Sequence, residues 1–138
     1  MGEMQKIRTG RHCTFVMHVH LVFVTKFRHE VFTDAHVRRM EEIMRSVCTD
    51  FDCELVEFNG EDNHVHLLVN FPPKVAVTKL VNSLKGDSSR RLRQEFPDLP
   101  RHYCRANKLW SGSYFAGTAG GAPLTVVRQY IEQQNRPV

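Results

Sequence analysis

Two histidines separated by one residue, His64-Val65-His66, stand in a segment whose other positions alternate with apolar Val65, Leu67 and Val69. In a strand, residues two apart share a face, so both imidazoles project to one side and the apolar side chains to the other. A pair of neighbouring imidazoles is half a metal site. The same spacing recurs in His18-Val19-His20. That pair lies mid-run among apolar residues, which favours a buried, hydrogen-bonded role for His18 and leaves His20 either supporting or adjoining the same site. Glu61 and Asp62, just before the other pair, are candidate acceptors to orient an imidazole. Near the other end, Tyr130 and Gln134 are four apart and share one helical face, supplying a candidate nucleophile and a candidate third ligand. A phenol with a pKa of about 10 attacks phosphorus when a metal polarises the phosphate, and the phosphotyrosine then stores the bond for rejoining. That chemistry fits reversible cutting and joining of DNA. A His, His, Gln site with open positions suits Mg²⁺ or Mn²⁺.

These side chains need a scaffold, and the pattern around them predicts one. Residues 13–25 alternate and are rich in Val and Phe, so they are expected to form a strand. Asp34 is a candidate cap for a helix running to about Asp50, with Val37, Met40, Ile43, Met44 and Val47 on its apolar face. Cys53 to Phe58 and His64 to Phe71 read as a hairpin around Asn59-Gly60-Glu61-Asp62-Asn63. Val75 to Glu95 has helical spacing, with Gly86 marking either close packing or a local break. Leu109 to Thr118 reads as an aromatic-rich strand region, and Pro123 suits the first turn of a last helix to about Asn135. The order strand, helix, strand, strand, helix, strand, helix predicts an α+β, ferredoxin-like (RRM-like) fold. It has a four-stranded antiparallel sheet, helices on one face, the other face open, and a C-terminal helix carrying the tyrosine.

Length and charge bound the partners. A chain of 138 residues with 41% hydrophobic and 25% charged residues has room for one domain with a real core. The 19 Lys and Arg exceed the 15 Asp and Glu, and 13 of the cations are Arg, whose planar forks match phosphate oxygens. Residues 1–28 and 85–108 are each +4, flanking an acidic middle, which suggests a polarised surface for an anionic polymer. The longest apolar run, Phe15 to Thr25, is too short to span a bilayer. Cys13, Cys48, Cys53 and Cys104 form no close pair and follow no secretory leader, so reduced thiols and a cytoplasmic location are expected. Met1 to Arg11 reads as a polar tail.

Five segments, His20 to Arg28, Asp62 to Val69, Leu84 to Arg90, Leu109 to Phe115 and Val127 to Gln134, together resemble the single-strand DNA transposases of the insertion-sequence 200/605 group. These are small enzymes of the HUH superfamily, named for two histidines flanking a hydrophobic residue. The resemblance covers nearly the whole chain in order and favours His64-Val65-His66 over His18-Val19-His20 as that motif. Asn63 stands where relatives often have Asp.

The resemblance implies one transposase domain over residues 1–138, with Tyr130 as nucleophile, His64 and His66 as metal ligands and Gln134 as the third. It also implies a homodimer whose tyrosine helix, residues 123–135, completes a site in cis or in trans. Gly117, Gly120 and Gly121 then form a hinge over 117–122. The implied activity is cleavage and rejoining of single-stranded DNA bearing subterminal hairpins, through a 5′-phosphotyrosine, with Mg²⁺ or Mn²⁺ as cofactor. The element would be excised and inserted as a single-stranded circle. Lys85, Arg90, Arg91, Arg93, Arg101, Arg105 and Lys108 are candidate phosphate contacts, and Tyr103, Trp110 and Phe115 are candidate stacking rings. Two alternatives use the same fold: a noncatalytic nucleic-acid-binding module with structural histidines, and a relaxase or replication initiator of the same superfamily. The first lacks the aromatic rings such a module places on its central strands.

Overall fold

The structure, a computed structural model, describes residues 8–9, 14–15, 17–26, 32–97, 99 and 109–118. In chain order the elements are β1 (Arg8–Thr9), β2 (Thr14–Phe15), β3 (His18–Val24), α1 (Asp34–Asp50), β4 (Glu54–Gly60), β5 (His64–Asn70), α2 (Val77–Glu95) and β6 (Phe115–Thr118). The four longer strands form one antiparallel sheet in the order β4-β5-β3-β6. This is the expected topology, with the two histidine-bearing strands paired at its centre. The expected final helix, 123–135, lies outside the described residues.

Alternation along β3 and β5 decides which side chains reach the helices. Val19, Leu21 and Phe23 of β3 join Val65, Leu67 and Val69 of β5 in one buried cluster with the apolar faces of both helices. Most of these side chains are fully buried, and full burial of one Val, Leu or Phe contributes about 1.5–3 kcal/mol. The opposite face carries His18, His20, Val22 and Val24 beside His64, His66, Leu68 and Asn70. Contrary to the open face expected, it is buried across its centre, with Val22 at 0%, Val24 at 1% and Asn70 at 0% exposure.

Helix α1 starts one residue earlier than the acidic cap suggested. Thr33 is the N-cap: its hydroxyl accepts from the His36 N–H at 3.4 Å, while His36 Nδ1 accepts from the Thr33 N–H at 3.1 Å. A histidine thus replaces the usual Glu or Gln of a capping box, and Asp34 sits in the first turn, where the helix dipole favours a negative charge. Helix α2 runs unbroken through Gly86, where an added Cβ would meet nothing within 4 Å, so the glycine marks neither close packing nor a break. The two helices are tied by Arg39, whose Nε and one terminal nitrogen donate to the Glu95 carboxylate at 2.6 and 3.1 Å.

Three stretches differ from the sequence expectation. The strand expected over 13–25 is divided: Thr14–Phe15 pairs with Arg8–Thr9 in a separate two-stranded ladder, and only His18–Val24 enters the main sheet. Part of the supposed tail is therefore structured, because Arg8 donates to the Asn70 carbonyl and side-chain oxygens, each at 3.2 Å, and to the Asp52 carbonyl at 2.8 Å. Third, the region 109–118 is not one strand. Trp110 bridges to Thr25, and regular pairing begins only at Phe115. Gly117 belongs to β6, opposite His20, so the described part of the expected 117–122 hinge is strand.

Helix α1 crosses β4 closely at Gly60. A Cβ there would lie 2.5 Å from Val37 Cγ1 and 3.1 Å from Cγ2, and a β-branched side chain on a helix has little freedom to retreat. Gly60→Ala is therefore expected to destabilise the fold by about 1–3 kcal/mol through overpacking. In thermal melts, a Gly60→Ala/Val37→Ala double variant should lose less than the sum of the two single losses, because the clash partner is gone. Additive losses would remove this close approach as the cause.

Candidate functional site

The site begins at a tight turn. Glu61 N–H donates to the His64 carbonyl at 2.9 Å, closing residues 61–63 and launching β5 with His64 as its first residue. Register then fixes the neighbours: His64 pairs with Val24, His66 with Val22, and Leu68 with His20. His20 is thus the diagonal neighbour of His66 on the same face, a separation that ring side chains span. On the outer strands, Asn59 lies opposite His66, and Gly117 opposite His20.

Each imidazole has a defined partner. His64 Nδ1 lies 2.9 Å from Asn63 Oδ1. An amide oxygen only accepts, so this nitrogen donates and the Nε2 lone pair is left for another group. His66 Nε2 lies 3.0 Å from His20 Nδ1. Their ring centroids are 5.1 Å apart with planes inclined at 28°, a spacing reached only when the two rings lie nearly end to end, joined through the facing nitrogens. His18 behaves as expected of a structural residue: it is buried, and its Nε2 accepts from the Asn70 amide at 3.4 Å. The orienting group at His64 is Asn63 rather than Glu61 or Asp62, which are exposed. Those two acids act at longer range.

Burial holds both candidate ligands below the ordinary imidazole value. At His64 desolvation dominates, and Glu61 and Asp62 partly oppose it. At His66 desolvation is again the largest cause, and His20 and His64 push in the same direction. Both rings are therefore neutral near pH 7, the form that binds metal. Two neutral imidazoles on one face, one with its nitrogen directed by a neighbouring amide, are a donor pair suited to a divalent transition ion. Among the described residues no group of three His, Cys, Asp or Glu could hold an ion, so a bound ion needs further ligands. Gln134 and Tyr130, the expected third ligand and nucleophile, lie outside the described residues.

The candidate DNA contacts divide. Lys85 Nζ donates to the Ser111 carbonyl at 2.7 Å and lies 5.8 Å from the centre of the Tyr114 ring, so it clamps the 111–114 segment to α2. Arg93 Nε donates to Ser89 Oγ at 3.3 Å. Arg90 and Arg91 form loose ion pairs with Asp87 at 3.7 Å and Glu95 at 4.0 Å, which a phosphate can replace at small cost. Lys85 and Arg93 line a cavity of about 280 Å³ with Gly86, Ser89, Trp110 and Gly112. Trp110 does not fit the expected stacking role. It is 4% exposed, packs against Phe23 and Phe32, and donates from Nε1 to Ser88 Oγ at 2.9 Å, so its ring belongs to the core. Arg101, Tyr103, Arg105 and Lys108 lie outside the described residues. No helix among the described residues is long and apolar enough to cross a membrane.

The chain is similar to known transposases. The profile of the family described as "Transposase IS200 like" matches residues 13–134. The chain is 30% identical over 133 residues to the ISDra2 transposase TnpA of Deinococcus radiodurans, covering 96% of this chain and 92% of that protein. It is also 30% identical over 135 residues to the transposase for insertion sequence element IS200 of Salmonella typhimurium, covering 97% of this chain and 85% of the relative. Among solved structures, a Deinococcus radiodurans R1 protein described as a transposase superposes with a TM-score of 0.84 at 33% identity, covering 92% of this chain and 97% of that one. A REP-associated tyrosine transposase bound to a REP hairpin shares the fold, with a TM-score of 0.55 at 11% identity over 96% of this chain and 69% of that one.

The depressed histidines make stability depend on pH. Because His64 and His66 take up protons less readily when folded, the unfolded chain binds more protons as pH falls below about 6.5, and stability declines with acidification. Their contribution is intact above that value and is lost as pH falls through their folded values. Melting temperatures measured between pH 8 and pH 5 (roughly the span of imidazole titration) should fall toward acid. A His64→Gln/His66→Gln variant should show a shallower slope; a slope equal to the parent's would place the titrating groups elsewhere.

Proposed function

The chain belongs to the IS200-like transposase family, and on that premise we propose that it cleaves and rejoins single-stranded DNA at a metal-assisted site built on His64 and His66. The observation that carries this reading is the pair of half-buried, neutral imidazoles on one sheet face, each ring held by a hydrogen-bond partner. Gln134 is the third protein ligand in this reading, and the ion is Mg²⁺ or Mn²⁺. When bound, the ion would draw electron density from the scissile phosphate.

Tyr130 then acts as nucleophile. Its oxygen forms a bond to phosphorus, the bond from phosphorus to the 3′ oxygen breaks, and a 5′-phosphotyrosine and a free 3′-OH remain. Attack by a 3′-OH reverses the step and joins strands, which lets the element leave and enter as a single-stranded circle. Water is a poor competitor while the two strand ends stay bound, so holding the DNA matters as much as cutting it. In this reading Arg90 and Arg91 on α2, whose ion pairs are loose, meet phosphates of a subterminal hairpin. A homodimer, with each tyrosine helix serving its own or its partner's site, supplies two such surfaces.

A labelled oligonucleotide carrying a hairpin and a single-stranded flank, incubated with Mn²⁺ and run under denaturing conditions, tests the chemistry. The parent should give a covalent protein–DNA band. Tyr130→Phe should bind the hairpin normally and lose the band to background, and His64→Ala should lose it as well. A band that survives in Tyr130→Phe removes Tyr130 from the role, and one that survives in His64→Ala redirects attention to His18 and His20.

Hairpin binding has its own test. Arg90→Ala/Arg91→Ala should weaken hairpin affinity for every sequence alike and reduce the salt slope of log K by about 1 for each phosphate no longer neutralised. An unchanged slope would take the exposed face of α2 out of the interface.

A further inference from the structure

We propose that His20 is a positioning residue for His66, the hydrogen-bond acceptor that sets which of the His66 nitrogens faces the metal. The inference rests on the reading of His64 and His66 as ligands and adds to it a residue on a different strand. His20 Nδ1 and His66 Nε2 are 3.0 Å apart, and the end-to-end placement of the rings directs each nitrogen at the other. One proton must lie between them, since two bare lone pairs at that distance repel.

The direction of that proton decides whether His66 can bind an ion. If His20 Nδ1–H donated, the His66 Nε2 lone pair would be occupied and a neutral His66 would carry its own proton on Nδ1, leaving no free pair. If His66 Nε2–H donates into the His20 lone pair, the His66 Nδ1 lone pair is free. At His64, Nδ1–H donates to Asn63 and Nε2 is free. Only with His20 as acceptor do both neutral imidazoles offer a lone pair at once. The two free nitrogens are then His64 Nε2 and His66 Nδ1. Ligating histidines characteristically donate their other N–H to an acceptor, and here an imidazole on the adjacent strand takes that place.

The fold delivers His20 with little freedom. β3 is hydrogen-bonded on both sides, to β5 and to β6, so its backbone is held at two edges. Across β6 the residue opposite His20 is Gly117, which has no side chain to compete for the space. Directly across β5 stands Leu68, which is buried. His20 is not itself a ligand in this arrangement, because its Nδ1 pair is taken up by the His66 Nε2–H.

The test uses the full chain and two readouts other than cleavage. Mn²⁺ affinity by calorimetry should fall on the order of 10–100-fold in His20→Ala, while hairpin affinity stays at the parent value. His20→Asn, which sets an acceptor oxygen near the position of Nδ1, should recover most of the loss. In ¹⁵N spectra of the metal-free protein, His66 should carry its proton on Nε2 and be bare at Nδ1. Parental or tighter Mn²⁺ binding by folded His20→Ala, or a His66 proton on Nδ1, overturns the proposal. If His20→Ala does not fold, the Asn variant and the spectrum decide. His64→Ala separates the two readings. Unchanged Mn²⁺ binding there defeats the metal site itself, whereas abolished binding there with parental binding in His20→Ala defeats only the positioning role.

Discussion

The register between β3 and β5 is the constraint on which everything else depends. His18 faces Asn70 and Val24 faces His64, with each residue between them paired in step. A shift of one residue would turn Val19, Leu21 and Phe23 away from the helices and expose them, while driving the histidines into the core. The cost of such a slip, several large apolar side chains moved out of a buried cluster, holds the register in place. The same pairing that builds the core therefore sets His20 diagonal to His66 to within the tolerance of a hydrogen bond.

Burial shapes the chemistry of this face. Val22, Val24 and Leu68 fill its centre, and the candidate ligands sit half-buried among them. Desolvation keeps both imidazoles neutral without a strong charge partner, and the acids at the turn act only against that trend at His64. A carboxylate in direct contact would have had the opposite effect on the metal-free protein, favouring the protonated ring. The acids stay in solvent, and Asn63 supplies direction without charge.

On the helix side, residues that look like nucleic-acid contacts in the sequence hold the structure together. Lys85 clamps the chain around Ser111, and Ser88 and Ser89 satisfy the Trp110 indole and the Leu109 amide. A buried indole N–H without a partner costs about 1–3 kcal/mol, which explains two serines in the apolar face of a helix. Among the described cations, some brace backbone carbonyls, and others, such as Arg90, sit in weak pairs.

Much of this was legible in the sequence because it is periodic. Two-residue alternation placed His64 and His66 on one face, helical spacing found α1 and α2 within about two residues, and the turn chemistry over 59–63 located the hairpin, although Asn59 and Gly60 belong to β4. The family was legible too, from motifs spread along most of the chain. Less legible were pairings between residues far apart in sequence: Arg8 on Asn70, His20 on His66, Val37 against Gly60 and Trp110 in the core. Local pattern reports which face a side chain takes and says nothing of what stands opposite. Sequence alone determined the residue types that could bind metal and their common face, since those follow from the backbone repeat. Tertiary structure alone decided that the spare histidine of β3 meets the second histidine of the motif, because strand register is set by burial summed over the whole sheet.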